Sequence, residues 1–177
     1  MRPRLNLITL SIIIPILASV DGVFASTNTT SFTTYENSTE GIKIDYPKDW
    51  TLIRQYGLNF LSPKENGSDT FREGLVVGKG ETVNEPIDKL AARVIKFYNS
   101  SLINFHLIEL KGVTFHGSPA QSLIYTFSIP NNGTIKTLEF GTPENNRIHV
   151  FRYTAQENKF DSYLPTINSM IDSFRSK

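Results

Sequence analysis

Apolar and polar residues alternate, or apolar residues recur every three to four positions, over most of the chain beyond residue 40. Residues 41–46 alternate and predict a strand with one buried face. Residues 47–49 break this pattern, and residues 50–54 are predicted to return as the second strand of a hairpin. Residues 59–61 and 74–77 predict two further short strands.

Two amphipathic helices are predicted. The first has Pro86 in its first turn, where a missing N–H is tolerated, and apolar residues then recur at spacings of three and four. Its mixed charges favour packing on a core over binding to a membrane surface. The second has the same spacing up to Phe174, and Pro165 places its regular start between Asp161 and Leu164.

Between the helices, turn residues separate four β-rich segments and predict an antiparallel meander. With four residues in each of the last two turns, Tyr125 lies opposite Leu138, and Leu138 lies opposite Phe151. The face they share is apolar, and the second helix is predicted to cover it; the other face is mixed and only partly covered. The segments are residues 105–115, 121–129, 134–140 and 147–155, and the apolar face also carries Leu123, Phe127, Lys136, Phe140, His149 and Tyr153.

Together these elements predict one α+β domain with helices packed on an antiparallel sheet.

Ahead of this domain, Arg2 and Arg4 precede an apolar stretch at residues 5–20 and the small residue Ala25. This order predicts a signal peptide over residues 1–25, cleaved after Ala25, and a secreted or cell-surface protein. A retained anchor is the alternative, although the apolar stretch is shorter than the roughly 20 residues of a spanning helix.

Residues 26–39 contain nine Ser or Thr among fourteen residues and predict a flexible tether, so the folded domain is expected over residues 40–177.

The charge balance and the lack of cysteine exclude some classes of function. Residues 26–177 carry 16 basic and 16 acidic side chains, and this balance argues against binding to nucleic acid. The chain of 177 residues has no cysteine, which excludes thiol chemistry. We expect a monomer that binds an unidentified protein partner, and a membrane-associated protein is one candidate for that partner.

Five Asn-x-Ser/Thr sequons lie in segments predicted as tail, loop or turn, and in an exported protein they permit N-glycosylation. They begin at Asn28, Asn37, Asn66, Asn99 and Asn132.

Candidate metal ligands are few. None of the histidines His106, His116 and His149 is spaced from another as zinc ligands commonly are, and we expect His149 to be packed in the core. Carboxylates flank the first turn and crowd a later loop, where they could hold calcium weakly, although solvated charges are the default interpretation. These carboxylates are Asp45, Asp49, Glu65, Asp69 and Glu73. We expect no cofactor, with calcium as the alternative.

Catalytic motifs for hydrolases, phosphate-binding loops and metalloproteases are absent from the sequence. Ser118 close to His116 is the only local pair that would suit a hydrolase, and a Ser-Pro turn is the ordinary explanation for it. We expect no enzyme activity and no catalytic residue.

The order of several short motifs resembles the PsbP family, named for the extrinsic protein of the photosynthetic oxygen-evolving complex. The resemblance covers residues 35–176 and depends on the spacing of the motifs, since no single one is specific. The motifs are Gly41 to Pro47 with Trp50, Phe60 with Ser62 and Pro63, Asp69 to Val77, Gly117 to Ala120, and Phe160 to Phe174.

The resemblance implies an α/β/α sandwich around a twisted antiparallel sheet, exported and acting without catalysis as a docking or assembly factor. Photosynthetic members lie on the lumenal side of the membrane, help to retain calcium and chloride, and in some cases bind divalent metals. The Ser/Thr-rich tether favours a free-standing module at the cell surface, docked on a protein complex. The alternatives are a calcium- or manganese-binding protein and an unrecognised hydrolase.

Overall fold

The structure of the protein is a computed structural model that describes residues 30–82, 85–144 and 147–176. The predicted signal peptide, its cleavage point after Ala25 and the sequon at Asn28 lie outside these ranges. The described residues form, in order, β1 (Phe32–Asn37), β2 (Ile42–Pro47), β3 (Thr51–Arg54), β4 (Leu58–Leu61), β5 (Gly74–Thr82), α1 (Ile87–Ser101), β6 (His106–Phe115), β7 (Ser118–Ile129), β8 (Gly133–Glu144), β9 (Arg147–Gln156), α2 (Phe160–Ser173) and β10 (Arg175–Ser176).

Seven strands form one antiparallel sheet in the order β3-β4-β5-β9-β8-β7-β6, and β1-β2-β10 form a second, smaller one. Helix α1 packs on one face of the large sheet, against β6, β7 and β8. Helix α2 packs on the opposite face, against β9, and also contacts β2 of the small sheet. The predicted α+β class, with an antiparallel sheet between helices, is confirmed.

The meander of β6, β7, β8 and β9 is confirmed, but its first predicted register is wrong. Ile129 pairs with Gly133, so the turn between β7 and β8 holds three residues, 130–132, instead of four. Gly133 has a φ of 75°, the left-handed conformation that commonly closes a three-residue hairpin turn. Tyr125 therefore pairs with Thr137, one residue away from its predicted partner.

The turn between β8 and β9 is also shorter than predicted. Glu144 pairs with Arg147, which leaves two residues in the turn, and Leu138 pairs with Tyr153 where we expected Phe151. Because this error is an even number of residues, it leaves each side chain of β9 on its predicted face.

The one-residue error between β7 and β8 moves the side chains of β7 to the other face of the sheet. Leu123 and Tyr125 are buried beneath α1, whereas Phe140 and Phe151 are buried in the core beneath α2. Both faces of the sheet therefore carry buried aromatic residues, so the prediction that all of them share one face is wrong.

The tether prediction is wrong over residues 32–37, which form β1 along the edge of β2. Phe32 and Tyr35 are partly buried and pack against the main core, which the Ser/Thr-rich composition concealed. The pairing satisfies backbone groups that a free tether would leave to water. The folded unit thus begins before the predicted boundary at Glu40.

The predicted hairpin of residues 41–46 and 50–54 is also wrong, although both segments are strands. β2 belongs to the small sheet, and β3 pairs with β4 at the edge of the large sheet. The turn after Pro47 therefore carries the chain from one sheet to the other. Trp50, at this crossing, is buried in the main core.

The two helices match their predictions with small differences at their ends. Helix α1 begins directly after Pro86 and continues to Ser101, so Asn99 lies in its last turn and not in a loop. Helix α2 begins at Phe160, one residue before the predicted window, which places Pro165 inside it. The carbonyl of Asp161 therefore lacks its usual helical N–H partner.

A protein that starts at residue 40 lacks β1, and we expect it to be less stable than one that starts at residue 30. The deletion removes the packing of Phe32 and Tyr35 and exposes the edge of β2. Complete burial of an apolar side chain of this size contributes about 1.5–3 kcal/mol, so we expect a loss of about 2–4 kcal/mol. Urea unfolding followed by circular dichroism measures the difference, and equal transition midpoints would contradict the role of β1.

Candidate functional site

A groove of about 540 Å³ runs between α1 and the neighbouring strands of the large sheet. This volume lies within the range of pockets that bind small ligands or the side chains of a partner. The walls are mainly apolar, and we call this feature the α1 groove. It is lined by Gly80, Glu85, Ile87, Leu90, Ala91, Arg93, Val94, Phe97, Tyr98, Gln121, Leu123, Glu139, Gly141, Ile148, Val150 and Arg152.

The groove exists because α1 covers only part of the sheet face. The helix buries Ala91 and Tyr98 over β7, whereas Leu90 and Val94 on the same stripe remain partly exposed. Phe97 beside them is 63% exposed, a high value for an apolar side chain of this size. One helical stripe thus supplies both a packed contact and an accessible apolar wall.

The floor of the groove is shaped by two glycines on either side of Ile148. A Cβ atom on Gly80 would lie 2.3 Å from Cγ2 of Ile148, and one on Gly141 would lie 3.3 Å from its Cδ1. The side chain of Ile148 occupies the space that larger residues at these two positions would need. Glycine in a strand interior often marks such a close approach.

One end of the groove holds four polar side chains, which we call the Glu139 cluster. Oε2 of Glu139 accepts hydrogen bonds from the hydroxyls of Tyr98 (2.8 Å) and Tyr125 (3.2 Å) and from Nε of Arg152 (2.8 Å). Nη2 of Arg152 also donates to the Tyr98 hydroxyl at 2.7 Å. Glu139 is only 7% exposed, so these donors compensate for the removal of its charge from water.

The environment of the Glu139 cluster determines which members are charged. Burial, followed by the nearby charge of Glu139, raises the pKa of Tyr98 to about 12, and the same causes raise the pKa of Tyr125. Burial opposes the charge of Arg152, but Glu139 outweighs it and the pKa of Arg152 is raised. At neutral pH the cluster therefore consists of one ion pair and two neutral phenols.

A second ion pair lies at the helix end of the groove, where Arg93 Nη2 is 3.0 Å from Glu85 Oε1. The four charged residues that line the groove are therefore Glu85, Arg93, Glu139 and Arg152, and they form two oppositely charged pairs. The lining as a whole carries no net charge. Such a surface offers no attraction to a charged ligand and suits an apolar one.

The sequence pattern did not reveal the Glu139 cluster, because the predicted registers placed Tyr125 on the face opposite Glu139 and did not pair Glu139 with Arg152. In the observed register Glu139 pairs directly with Arg152 on the adjacent strand. Opposite charges favour this arrangement across strands, so matching them would have indicated the correct register of β8 and β9. Tyr98 comes from α1 and could not have been placed by any strand pattern.

The three histidines are well separated in the structure. His149 is 4% exposed, its ring lies 5.4 Å from that of Phe174, and its Nε2 is 2.8 Å from Glu144 Oε2. Burial lowers the pKa of His149, although Glu144 acts in the opposite direction. His106 begins β6 and His116 follows its last residue, so they lie at opposite ends of one strand.

The first pair of candidate carboxylates is separated by the turn after β2. Asp45 accepts a hydrogen bond of 2.6 Å from the Thr34 hydroxyl, and Asp49 is exposed in the turn. Across the described ranges, no group of three or more His, Cys, Asp or Glu side chains is arranged to hold a metal ion.

The second set of carboxylates surrounds a lysine. Nζ of Lys159 lies 2.8 Å from Oε1 of Glu65 and 3.9 Å from Oε1 of Glu73, which is fully buried. Asp69 accepts hydrogen bonds from the backbone N–H groups of Glu65 and Phe71, and the first of these lowers its pKa most strongly. A side chain of the protein thus supplies the positive charge that a bound calcium ion would bring.

Ser118 and His116 are close in sequence but have different neighbours in the structure. Nε2 of His116 lies 3.2 Å from Nη1 of Arg175, and its ring stacks on Phe115 at 4.0 Å. Ser118 begins β7 and pairs with Phe115 on β6. Neither residue lines the α1 groove.

Four of the sequons fall within the described residues. Asn66 and Asn99 are exposed, whereas Asn37 and Asn132 are half-buried. The amide oxygen of Asn37 accepts hydrogen bonds from two backbone N–H groups, and that of Asn132 accepts one from the Thr70 hydroxyl. Asn66 and Asn99 are thus the two sequons whose asparagine is most accessible to a glycan.

The fold and the spacing of its motifs agree with a known family. The chain belongs to the PsbP-like proteins, whose sequence pattern matches residues 18–176. No curated protein matches the sequence.

Solved structures of distant relatives share the fold. Cyanobacterial PsbP (CyanoP) from Synechocystis sp. PCC 6803 has a TM-score of 0.63 at 17% identity, covering 88% of this chain and 98% of its own. PA94 from Pseudomonas aeruginosa has a TM-score of 0.60 at 14% identity, and the match covers 82% of this chain and 97% of PA94. LpqN, involved in cell envelope biogenesis of Mycobacterium tuberculosis, has a TM-score of 0.54 at 15% identity. The match covers 81% of this chain and 89% of LpqN.

Neither helix in the described part of the chain has the length and apolar character needed to cross a bilayer.

Replacing Glu139 by Gln is expected to lower the free energy of unfolding by about 1–3 kcal/mol, since Tyr98, Tyr125 and Arg152 lose the charged acceptor that they share. Chemical denaturation measures this loss. Glu109→Gln removes the same charge from an exposed position on β6 and should change stability by less than about 0.5 kcal/mol. Equal effects of the two substitutions would contradict the stabilising role of the Glu139 cluster.

The raised pKa of Tyr98 predicts a loss of stability in alkali. Its neutral form is favoured by folding, so its contribution is complete below pH 10 and is lost as the pH rises towards about 12. We expect the unfolding free energy of Tyr98→Phe to fall less steeply than that of wild type between pH 9.5 and pH 11.5. Parallel pH profiles for the two proteins would show that Tyr98 titrates equally in the folded and unfolded states.

Proposed function

We propose that this protein is an exported, non-catalytic accessory module that docks on a protein partner through the α1 groove. The observation that carries the proposal is the groove itself, which is apolar, accessible and internally neutral in charge. Apolar side chains of a partner can be buried there without breaking the ion pair of Glu85 with Arg93 or that of Glu139 with Arg152. The membership of the PsbP-like family is consistent with a role in binding.

The state of the ionisable groups supports binding over catalysis. Oε2 of Glu139 already accepts three hydrogen bonds, and Tyr98 keeps its proton well above neutral pH. A general base needs a free acceptor atom, and Oε2 of Glu139 is already fully engaged by its three donors. The Glu139 cluster instead acts as a rigid polar end to the groove.

Export is supported by the N-terminal pattern of basic, apolar and small residues up to Ala25. LpqN, which shares the fold, is involved in the biogenesis of a cell envelope. We place the protein outside the cytoplasm, secreted or held at the outer surface of the membrane, where its partner would be part of a membrane-associated complex.

Phe97 is the expected anchor of the contact. It is 63% exposed on α1, next to Val94 and Leu90 on the groove wall. Aromatic residues at the edge of an apolar groove are frequent hot spots of protein interfaces. Its exposure in the free protein means that docking would remove a large apolar area from water.

Docking can be tested by placing a photo-crosslinking amino acid at position 97 and irradiating the protein with native membranes. We expect one discrete protein adduct, which excess unlabelled wild-type protein suppresses. Excess Val94→Ala/Phe97→Ala should suppress it about tenfold less effectively, since truncation of an interface anchor costs about 1 kcal/mol or more.

The matched control places the same crosslinker at Ile108 on β6, which is 49% exposed and does not line the α1 groove. Ile108→Ala/Leu110→Ala should compete as well as wild type does. An adduct with lipid alone, or equal competition by both double variants, would contradict docking of a protein at the α1 groove.

A further inference from the structure

Strand β6 forms one edge of the large sheet, where it pairs with β7 and has no second neighbour among the described residues. The strand is ten residues long, and residues 108–112 in its middle are all exposed. Two of these five are large and apolar: Ile108 is 49% exposed and Leu110 is 46% exposed. A long edge strand with exposed apolar side chains is a template for pairing with another chain.

The two edges of the large sheet differ in length. The other edge is β3, which has only four residues, and short edge strands are one way in which natural sheets avoid pairing with other chains. On β6, the pairing with β7 skips Ile108, which is therefore the extra residue of a bulge. The regular part of the free edge begins at Glu109.

This free edge is apolar on one face and charged on the other. Leu110 pairs with Leu123, which lies under α1, so Leu110 is on the α1 face of the sheet. Nearly half of Leu110 is exposed, so α1 does not cover it. Glu109 and Lys111 flank Leu110 and point to the opposite face, and neither has an ion-pair partner within the described residues.

The exposed stretch is complementary to itself when two copies run antiparallel. With Leu110 on a two-fold axis, Glu109 of each copy lies opposite Lys111 of the other, and the two Leu110 side chains lie opposite each other. Ile108 lies opposite Gly112, which has no side chain to obstruct it. Antiparallel partners share a face, so two ion pairs form on one face and the leucine contact forms on the other.

The charges also select this register over its neighbours. If the axis moved by one residue to Glu109, the two copies of that carboxylate would lie opposite each other, and an axis at Lys111 would oppose two lysines. Like charges directly opposite each other destabilise a strand pair. The register centred on Leu110 is therefore favoured over both.

We propose that the protein forms a two-fold symmetric dimer in which β6 pairs antiparallel with β6 of a second copy, centred on Leu110. The pairing joins the two large sheets into one and satisfies backbone N–H and C=O groups that a free edge leaves to water. It departs from the monomer that we expected from the sequence. Because each copy contributes one strand, the interface is small and the dimer is reversible.

The dimer does not depend on the proposed docking function, since none of residues 108–112 lines the α1 groove. In the crosslinking experiment above, a crosslinker at Ile108 should capture a second copy of the chain in purified protein without membranes. One at Phe97 should form its adduct only with native membranes. The two proposals can therefore fail separately.

Sedimentation velocity of the purified protein at increasing concentration tests the dimer. Wild type should change from monomer to dimer as the concentration rises. Glu109→Lys replaces both ion pairs by like charges and should raise the dissociation constant about tenfold or more. Glu109→Lys/Lys111→Glu exchanges the charges and restores both pairs, so its dissociation constant should lie within about threefold of wild type.

Glu157→Lys is the matched control, because it makes the same change of charge at an exposed residue outside β6. Its dissociation constant should equal that of wild type. The proposal would be overturned by a wild-type protein that stays monomeric up to about 1 mM. An equal effect of Glu157→Lys and Glu109→Lys, or a double variant as weak as Glu109→Lys, would overturn it too.

Disulfide formation tests the register, because the chain has no cysteine of its own. Residues directly opposite each other on antiparallel strands have Cα atoms about 4.5–5.5 Å apart, which suits a disulfide. Leu110→Cys should therefore form a covalent dimer rapidly under mild oxidation. Thr114→Cys is the control on the same strand: its two copies would lie about 27 Å apart and should not crosslink. Equal crosslinking of the two variants would contradict an axis at Leu110.

Discussion

The three-residue turn between β7 and β8 determines which side chains meet each helix. With Ile129 paired to Gly133, Leu123 and Tyr125 lie under α1, and Phe140 lies under α2. One more residue in the turn would reverse the faces of β7 and take Leu123 and Tyr125 away from α1. Because the chain has no disulfide, the burial of both faces depends on this register.

The same register creates the Glu139 cluster. Glu139 pairs with Arg152 across β8 and β9, and the helix brings the Tyr98 hydroxyl to the shared acceptor. A buried carboxylate without these donors would be strongly destabilising, so the position of α1 and the charge of Glu139 depend on each other. The α1 groove lies beside this cluster, and its shape follows from where the helix is held.

The two clefts of the protein differ in their electrostatics. Charges in the α1 groove are paired and the surface is apolar, which suits docking of a protein in a PsbP-like module. A second cleft, between the small sheet and the hairpin of β3 and β4, is lined by Arg54 and Lys79, which have no ion-pair partner within the described residues. A single α+β scaffold can carry both, because they lie on opposite faces of the large sheet.

Local patterns in the chain were enough to predict the helices, most of the strands, the meander and the family, since each depends on periodicity, turn residues and motif order. Only the folded protein shows three further features: the register between β7 and β8, the sheet to which β2 belongs, and the strand formed by residues 32–37. The hydrogen bonds that join Tyr98, Glu139 and Arg152 are likewise visible only in the folded protein. These features depend on turn length and on contacts between distant segments, which a local pattern of apolar and polar residues does not encode.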